Sequence, residues 1–307
     1  VEATEKATNP PTDAATPTAP VFLDVDQLLA TSQPAVRVNL LIYGLGLMAA
    51  LVTIGVMSLF QPESRLSVQF FSGALLIGAM VFAGFWSTMA VRRHGAEVQT
   101  VEAVEEMIQL RRWEPAGILL DRFLSEPVRS PRLWARALVQ LAALLGRHHR
   151  FEDAITVQSF LIDHELLDDA SDYTVRLGRA MAMLREDHLV DADRAIGDLR
   201  RRAPAEQSGG LSLVEIFRDV KTGHAEEAIH LFTDRLGVMR LQLGHRVADA
   251  HGLVAQAYEM MGREGEAKAA YERATLLAPP SELHRRYPEL AKLAAKYPAT
   301  IAPREAA

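Results

Sequence analysis

Residues 248–281 read ADAHGLVAQAYEMMGREGEAKAAYERATLLAPPS, and this stretch decides the fold class. Ala255 and Tyr258 fall on a first helix, Gly262 at a turn, Ala267, Tyr271 and Ala274 on a second helix, and Pro279 after its end. Small residues at these spacings let two helices cross closely, while the rings fill the gap toward a neighbouring unit. The first alanine of the second helix then recurs along the chain. Ala116, Ala154, Ala192, Ala228 and Ala267 stand 38, 38, 36 and 39 residues apart. A period of this length marks stacked two-helix units, each of which needs its neighbour to bury an apolar face.

The last unit closely resembles the tetratricopeptide repeat, in which a small residue and an aromatic on the first helix precede Ala, an aromatic, Ala and a closing Pro on the second. Earlier units are looser. Arg112-Trp113-Glu114-Pro115-Ala116 and Arg150-Phe151-Glu152-Asp153-Ala154 each set an aromatic three residues before the alanine. Ala180, Met183, Leu189, Ala192, Ile196 and Pro204 take the equivalent places in the third unit, with aliphatics in place of rings. The fourth has Gly223, Glu227, Ala228 and Phe232, but Asp219 falls where a ring is usual, so its first helix is poorly marked. About five units fit between residues 94 and 281, and residues 282–307 are expected to form a solvated capping helix and a tail.

The resemblance implies an all-α TPR-like α-solenoid, and an interaction scaffold that recruits or assembles a protein complex, with no enzymatic role and no cofactor. It also implies a binding surface on the face lined by the first helices. Projected onto this chain, that face carries Arg136, Val139 and Arg147, then Leu177, Met181 and Arg185, then Phe217 and Lys221. Apolar centres with cationic edges suit an amphipathic or mildly acidic peptide, although Leu177, Met181 and Phe217 read equally well as core. Chaperone-binding members of the family clamp a terminal carboxylate with paired Asn and Lys. Here the asparagines are Asn9 and Asn39, both outside the repeats, which argues against that partner.

Upstream, residues 38–60 and 66–91 are two uncharged runs of 23 and 26 residues, separated by Gln61, Pro62, Glu63, Ser64 and Arg65. At about 1.5 Å per residue each run is long enough for a hydrocarbon core of about 30 Å, so a two-span transmembrane helical hairpin is expected over 36–93. Small residues recur four apart: Gly46 and Ala50, then Ala74 and Gly78, Ala79 and Ala83, and Gly84 and Thr88. That spacing fits close packing within the hairpin, or against another integral membrane protein. Arg37, Arg92 and Arg93 outside the spans, against Arg65 between them, place both termini in the cytoplasm by the positive-inside rule. The expected location is therefore a bacterial inner membrane, with the lipid bilayer as one partner and a constitutive subunit of a larger membrane complex as the alternative role. In layout, hairpin followed by repeats, the chain is similar to two-span tetratricopeptide-bearing bacterial membrane proteins associated with haem biosynthesis, and no function is carried over from them. Residues 1–35 begin as a Pro/Thr/Ala-rich tail and include the short apolar stretch 21–29, expected to lie at a membrane surface.

Composition narrows the chemistry. The net charge of -6, with 33 basic and 39 acidic residues and no block of one sign, gives nucleic acid no electrostatic foothold. There is no cysteine, so disulfides, thiol nucleophiles and thiolate metal sites are out. His148-His149 is the most tempting metal pair. Adjacent helical residues point about 100° apart, however, and the pair matches a turn between helices. Asp168, Asp169 and Asp172 lack the glycine and distal glutamate of a calcium loop and read as a helix start. Gly44, Gly46 and Ala49 imitate a dinucleotide-binding fingerprint, but no strand precedes them.

Overall fold

The computed structural model describes residues 24–34, 65–202 and 208–298. All regular structure among them is helical. The chain divides into two compact units, Val1–Ala137 and Leu138–Ala307.

In the first unit, α1 (Val25–Thr31) is capped by the Asp24 carboxylate, which accepts from the backbone N–H groups of Asp26 and Gln27. It is followed by α2 (Arg65–Gln109) and α3 (Trp113–Leu124), which pack on each other. Val25, Leu28 and Leu29 are buried, and α1 packs on α3. The Ser32 hydroxyl after α1 accepts from the Trp134 indole at 2.8 Å, and its carbonyl accepts from Val128 N–H. The described part of the apolar stretch expected at a membrane surface, residues 25–29, thus packs on the protein's own helix α3.

The transmembrane hairpin and the membrane location are corrected. Among the described residues no helix is long and apolar enough to cross a membrane. The run 66–91 is one part of a 45-residue helix that continues without a break through Arg92, Arg93, His94, Glu97, Glu102, Glu105 and Glu106. Charge and apolar stretch share one continuous element, and its far half packs as an amphipathic helix with Val101 and Val104 buried. Gly78, Gly84 and Thr88 are exposed, and nothing lies within 4 Å of where a Cβ at Gly78 or Gly84 would stand, so no helix is seated on them among the described residues. Ala74, Ala79 and Ala83 lie within α2. The first run, with Gly46 and Ala50, lies outside the described residues, as do residues 1–23. With the spans go the inner-membrane placement and the cytoplasmic orientation of the termini.

The second helices of the repeats begin in one recurring way. Arg111, His149, Asp187, Gly223 and Gly262 have φ of 58°, 59°, 59°, 86° and 72°, and each stands five residues before one of the periodic alanines. The next residue (Arg112, Arg150, His188, His224, Arg263) donates its N–H to the carbonyl five back (Met107, Leu145, Met183, Asp219, Tyr258), at 2.8 to 2.9 Å. This is the long bond of a left-handed helix C-cap, and it precedes all five of these second helices; Glu165, with φ of 50°, and the Leu166 N–H to the Leu161 carbonyl at 3.1 Å repeat it elsewhere. The turn delivers each alanine to a helix crossing, and Ala116, Ala154, Ala192, Ala228 and Ala267 are all 0–1% exposed.

The second unit holds the end of α4 (Pro131–Arg147), then α5 (Phe151–Asp163), α6 (Asp169–Arg185), α7 (Leu189–Arg202), α8 (Gly209–Thr222), α9 (Ala225–Leu243), α10 (Val247–Met260) and α11 (Glu264–Leu277). Within it each helix packs on its sequence neighbour from α5 to α11, and the first helices α6, α8 and α10 also pack in succession. Asp168 caps α6 as expected, accepting from Ser171 N–H at 2.9 Å. The poorly marked α8 is in fact among the most deeply buried helices, because α6, α7, α9 and α10 all pack on it. Gly209 and Gly210 are the first two residues of this helix. A Cβ at Gly209 would stand 3.1 Å from the Met239 backbone, and one at Gly210 2.9 Å from Leu177.

Residues 280–297, which take in the start of the expected capping segment, bury one face and expose the other. They break into α12 (Pro280–Arg286), a 3-10 turn (Pro288–Leu290) and α13 (Ala291–Lys296), with Leu283, Tyr287, Leu290 and Leu293 0–1% exposed.

Candidate functional site

The first helices of the second unit present one face, and the chain's own C-terminal segment lies on it. At the end of α4, Arg147 forms a bidentate pair with Glu282, at 3.0 and 3.1 Å. At the end of α6, Arg185 donates to the Arg286 carbonyl and stacks over Tyr287, with its guanidinium carbon 4.8 Å from the ring centroid. On α8, Phe217 meets Tyr287 edge-on with centroids 5.3 Å apart, and Lys221 lies 4.0 Å from Glu289 while bonding Asp187 at 2.5 Å. On α10, Asp249 pairs with Arg286 at 2.9 Å. Further along, Glu259 receives Lys296 at 2.6 Å and the Tyr297 hydroxyl at 2.8 Å. Gly252 makes room for Leu290, whose methyl would stand 2.8 Å from a Cβ there.

The charges alternate along the segment: Glu282 to Arg147, Arg286 to Asp249, Glu289 to Lys221, Lys296 to Glu259. Tyr287 stands near the middle of this pattern. Burial pushes its hydroxyl pKa up to about 12, and the Asp249 charge adds to the effect. Asp249 is itself fully buried. Desolvation raises its carboxyl above the usual range, against the pull of Arg246 and Arg286. Burying such a group is costly, and its partners fix the register of the segment more than they add stability. The apolar anchors supply the adhesion, at about 1.5–3 kcal/mol for each fully buried large side chain.

Four of the residues expected on the binding face therefore meet the C-terminal segment: Arg147, Arg185, Phe217 and Lys221. The others are elsewhere. Arg136 belongs to the first unit, where Glu105 holds it in a bidentate pair at 2.7 and 3.1 Å and raises its pKa. Val139 is half-buried in α4. Leu177 and Met181 are half-buried and pack on the core, Leu177 against Gly210. Sequence reasoning missed Asp249, Gly252, Glu259 and Arg246 on the body, and the whole segment opposite. A signal was present, since Leu283, Tyr287, Leu290 and Leu293 keep a spacing of three or four, the stripe of a buried helical face.

His148 and His149 occupy the expected turn after α4, His149 exposed and edge-on to Phe151. Burial and then the neighbouring arginines lower both pKa values. Among the described residues no group of three or more His, Asp or Glu is placed to hold a metal ion. No protein-family model, curated protein or solved structure matches the chain.

Proposed function

We propose that the chain is a protein-interaction scaffold built as a tetratricopeptide-like solenoid, which recruits a partner through the face lined by its first helices. One observation carries this reading: Arg147, Arg185, Phe217 and Lys221, from three successive first helices, converge on a single peptide segment. A face that seats an amphipathic segment of its own chain has the anchors and charged edges to seat one from another protein.

The reading is tested by selecting a displayed peptide library on the full chain and measuring each enriched peptide by anisotropy. Expected are amphipathic helical sequences that compete with one another and lose at least tenfold in affinity on Arg185→Glu. Enrichment of nothing, or of peptides indifferent to Arg185→Glu and Lys221→Glu, overturns it.

A further inference from the structure

Resting on that reading, we infer that residues 280–297 are a displaceable built-in ligand, and that the partner carries a segment of the same chemistry: a central tyrosine flanked by leucines, with charges alternating acid, base, acid, base.

The segment differs from the body it lies on. Its helices have seven, three and six residues, too short to persist unaided, so its conformation depends on the face beneath. It leaves α11 through Ala278 and Pro279, both extended (φ −145°, ψ 143° and φ −57°, ψ 139°), a joint from which it can swing without unwinding a body helix. Each body helix from α6 to α11 is held by other body helices, whereas the segment is held by anchors and ion pairs.

Those ion pairs identify a recognition site. A permanent lid over an apolar face is held most simply by apolar groups, because each buried charge must be desolvated. Here Asp249, fully buried, has Arg246 of the body at 3.4 Å and takes Arg286 as a second, closer cation at 2.9 Å. On either side Arg147 pairs with Glu282, and Lys221, already bonded to Asp187 at 2.5 Å, has Glu289 as a second anion at 4.0 Å. Four pairs of alternating sign reject a segment shifted by a turn, since each slip sets like charges together. Tyr287 is the anchor at the centre, covered by Arg185 and met by Phe217. A partner must present this pattern, and must outcompete a tethered rival whose effective concentration is in the millimolar range.

The probe is a fluorescein-labelled synthetic peptide with the sequence of residues 279–298. The receptor is the full chain, either unchanged or carrying Glu282→Arg with Glu289→Arg, which loosens the segment while keeping its apolar anchors. The expected result is weak binding to the unchanged chain and roughly 100-fold tighter binding to the loosened one, with a peptide carrying Tyr287→Ala at least tenfold weaker. Equal binding to both chains, or none to either while both stay folded by circular dichroism, overturns the proposal. A second loosened chain, Tyr287→Ala, is heated with and without the unlabelled peptide. Recovery of its melting temperature by the peptide supports displacement, and failure to recover makes the segment a fixed part of the core and overturns it. Peptides from the display selection separate the two readings: if they bind the loosened chain and the 279–298 peptide does not, the scaffold stands and the built-in ligand falls.

Discussion

Arg185, the last residue of α6, lies over the ring of Tyr287, with its guanidinium carbon 4.8 Å from that centroid and 5.0 and 5.9 Å from those of Phe151 and Phe217. One cation thus ties α6 to the C-terminal segment through the Tyr287 ring and the Arg286 carbonyl, while also lying near two rings of the body. Arg185→Ala is expected to lower the unfolding free energy by about 1–2 kcal/mol, as lost cation–π contact and hydrogen bonding together suggest. Amide hydrogen exchange should speed up in residues 280–297 before it does so in α8. Arg185→Lys should restore little, because an ammonium cannot lie flat across the rings. Exchange in 280–297 that is unchanged by Arg185→Ala would contradict this assignment.

The periodic alanines mark helix crossings with no spare volume. Ala192→Leu, at a site 0% exposed, should cost about 1–3 kcal/mol by overpacking, while Val190→Ser on the same helix, 66% exposed, should stay within about 0.5 kcal/mol. Urea unfolding of the two variants decides the point, and equal effects would deny the alanine its crossing.

The left-handed turn residues separate conformational cost from steric cost. Gly262 has φ of 72° and open space around the position of a Cβ, so Gly262→Ala should destabilise by about 1 kcal/mol from torsion alone. Gly262→Asn should cost less, since Asn tolerates this conformation. Arg111, exposed with φ of 58°, should respond in the opposite sense: Arg111→Gly is expected to be neutral or to stabilise by up to about 1 kcal/mol. Thermal melts that rank Gly262→Ala above the parent would reject the argument.

His251 gives the second unit a pH limb. It is 3% exposed and edge-on to Phe232, and burial, with Arg273 and Arg240 nearby, lowers its pKa to about 4. The folded state therefore prefers the neutral ring, so the unfolded chain binds the proton first as pH falls. The contribution is complete above the unfolded value of about 6.5 and is lost progressively down to about 4, amounting to about 3 kcal/mol. His148 and His149, also lowered, act in the same direction. Denaturation midpoints at pH 7 and pH 5 should differ, and His251→Gln should shrink the difference; an unchanged slope in that variant would assign the limb to other groups.

What was legible in the sequence was what repeats with a side-chain signature. The alanine period located all five turns, and Gly223 and Gly262 advertised two of them through the one residue type suited to φ near 80°. Arg111, His149 and Asp187 adopt the same backbone with nothing in their chemistry to announce it. Of the eight residues projected onto the first-helix face, Arg147, Arg185, Phe217 and Lys221 meet the C-terminal segment, while Leu177 and Met181 pack on the core, Leu177 where Gly210 leaves room. The occupant of that face was not foreseen, since the stripe of Leu283, Tyr287, Leu290 and Leu293 was read as a surface cap rather than as a face needing cover. The run 66–91 misled for a different reason: hydropathy counts letters in a window, and α2 carries its uncharged stretch and its charged half in one helix.

The shared turn also separates the geometry of this chain from its spelling. What its repeats hold in common is largely a torsion angle and a main-chain hydrogen bond, and those can be made by arginine, histidine, aspartate or glycine alike. Such an architecture can drift far in spelling while keeping its geometry, so its relatives are better sought by the rhythm of left-handed residues and the alanines that follow than by matching letters.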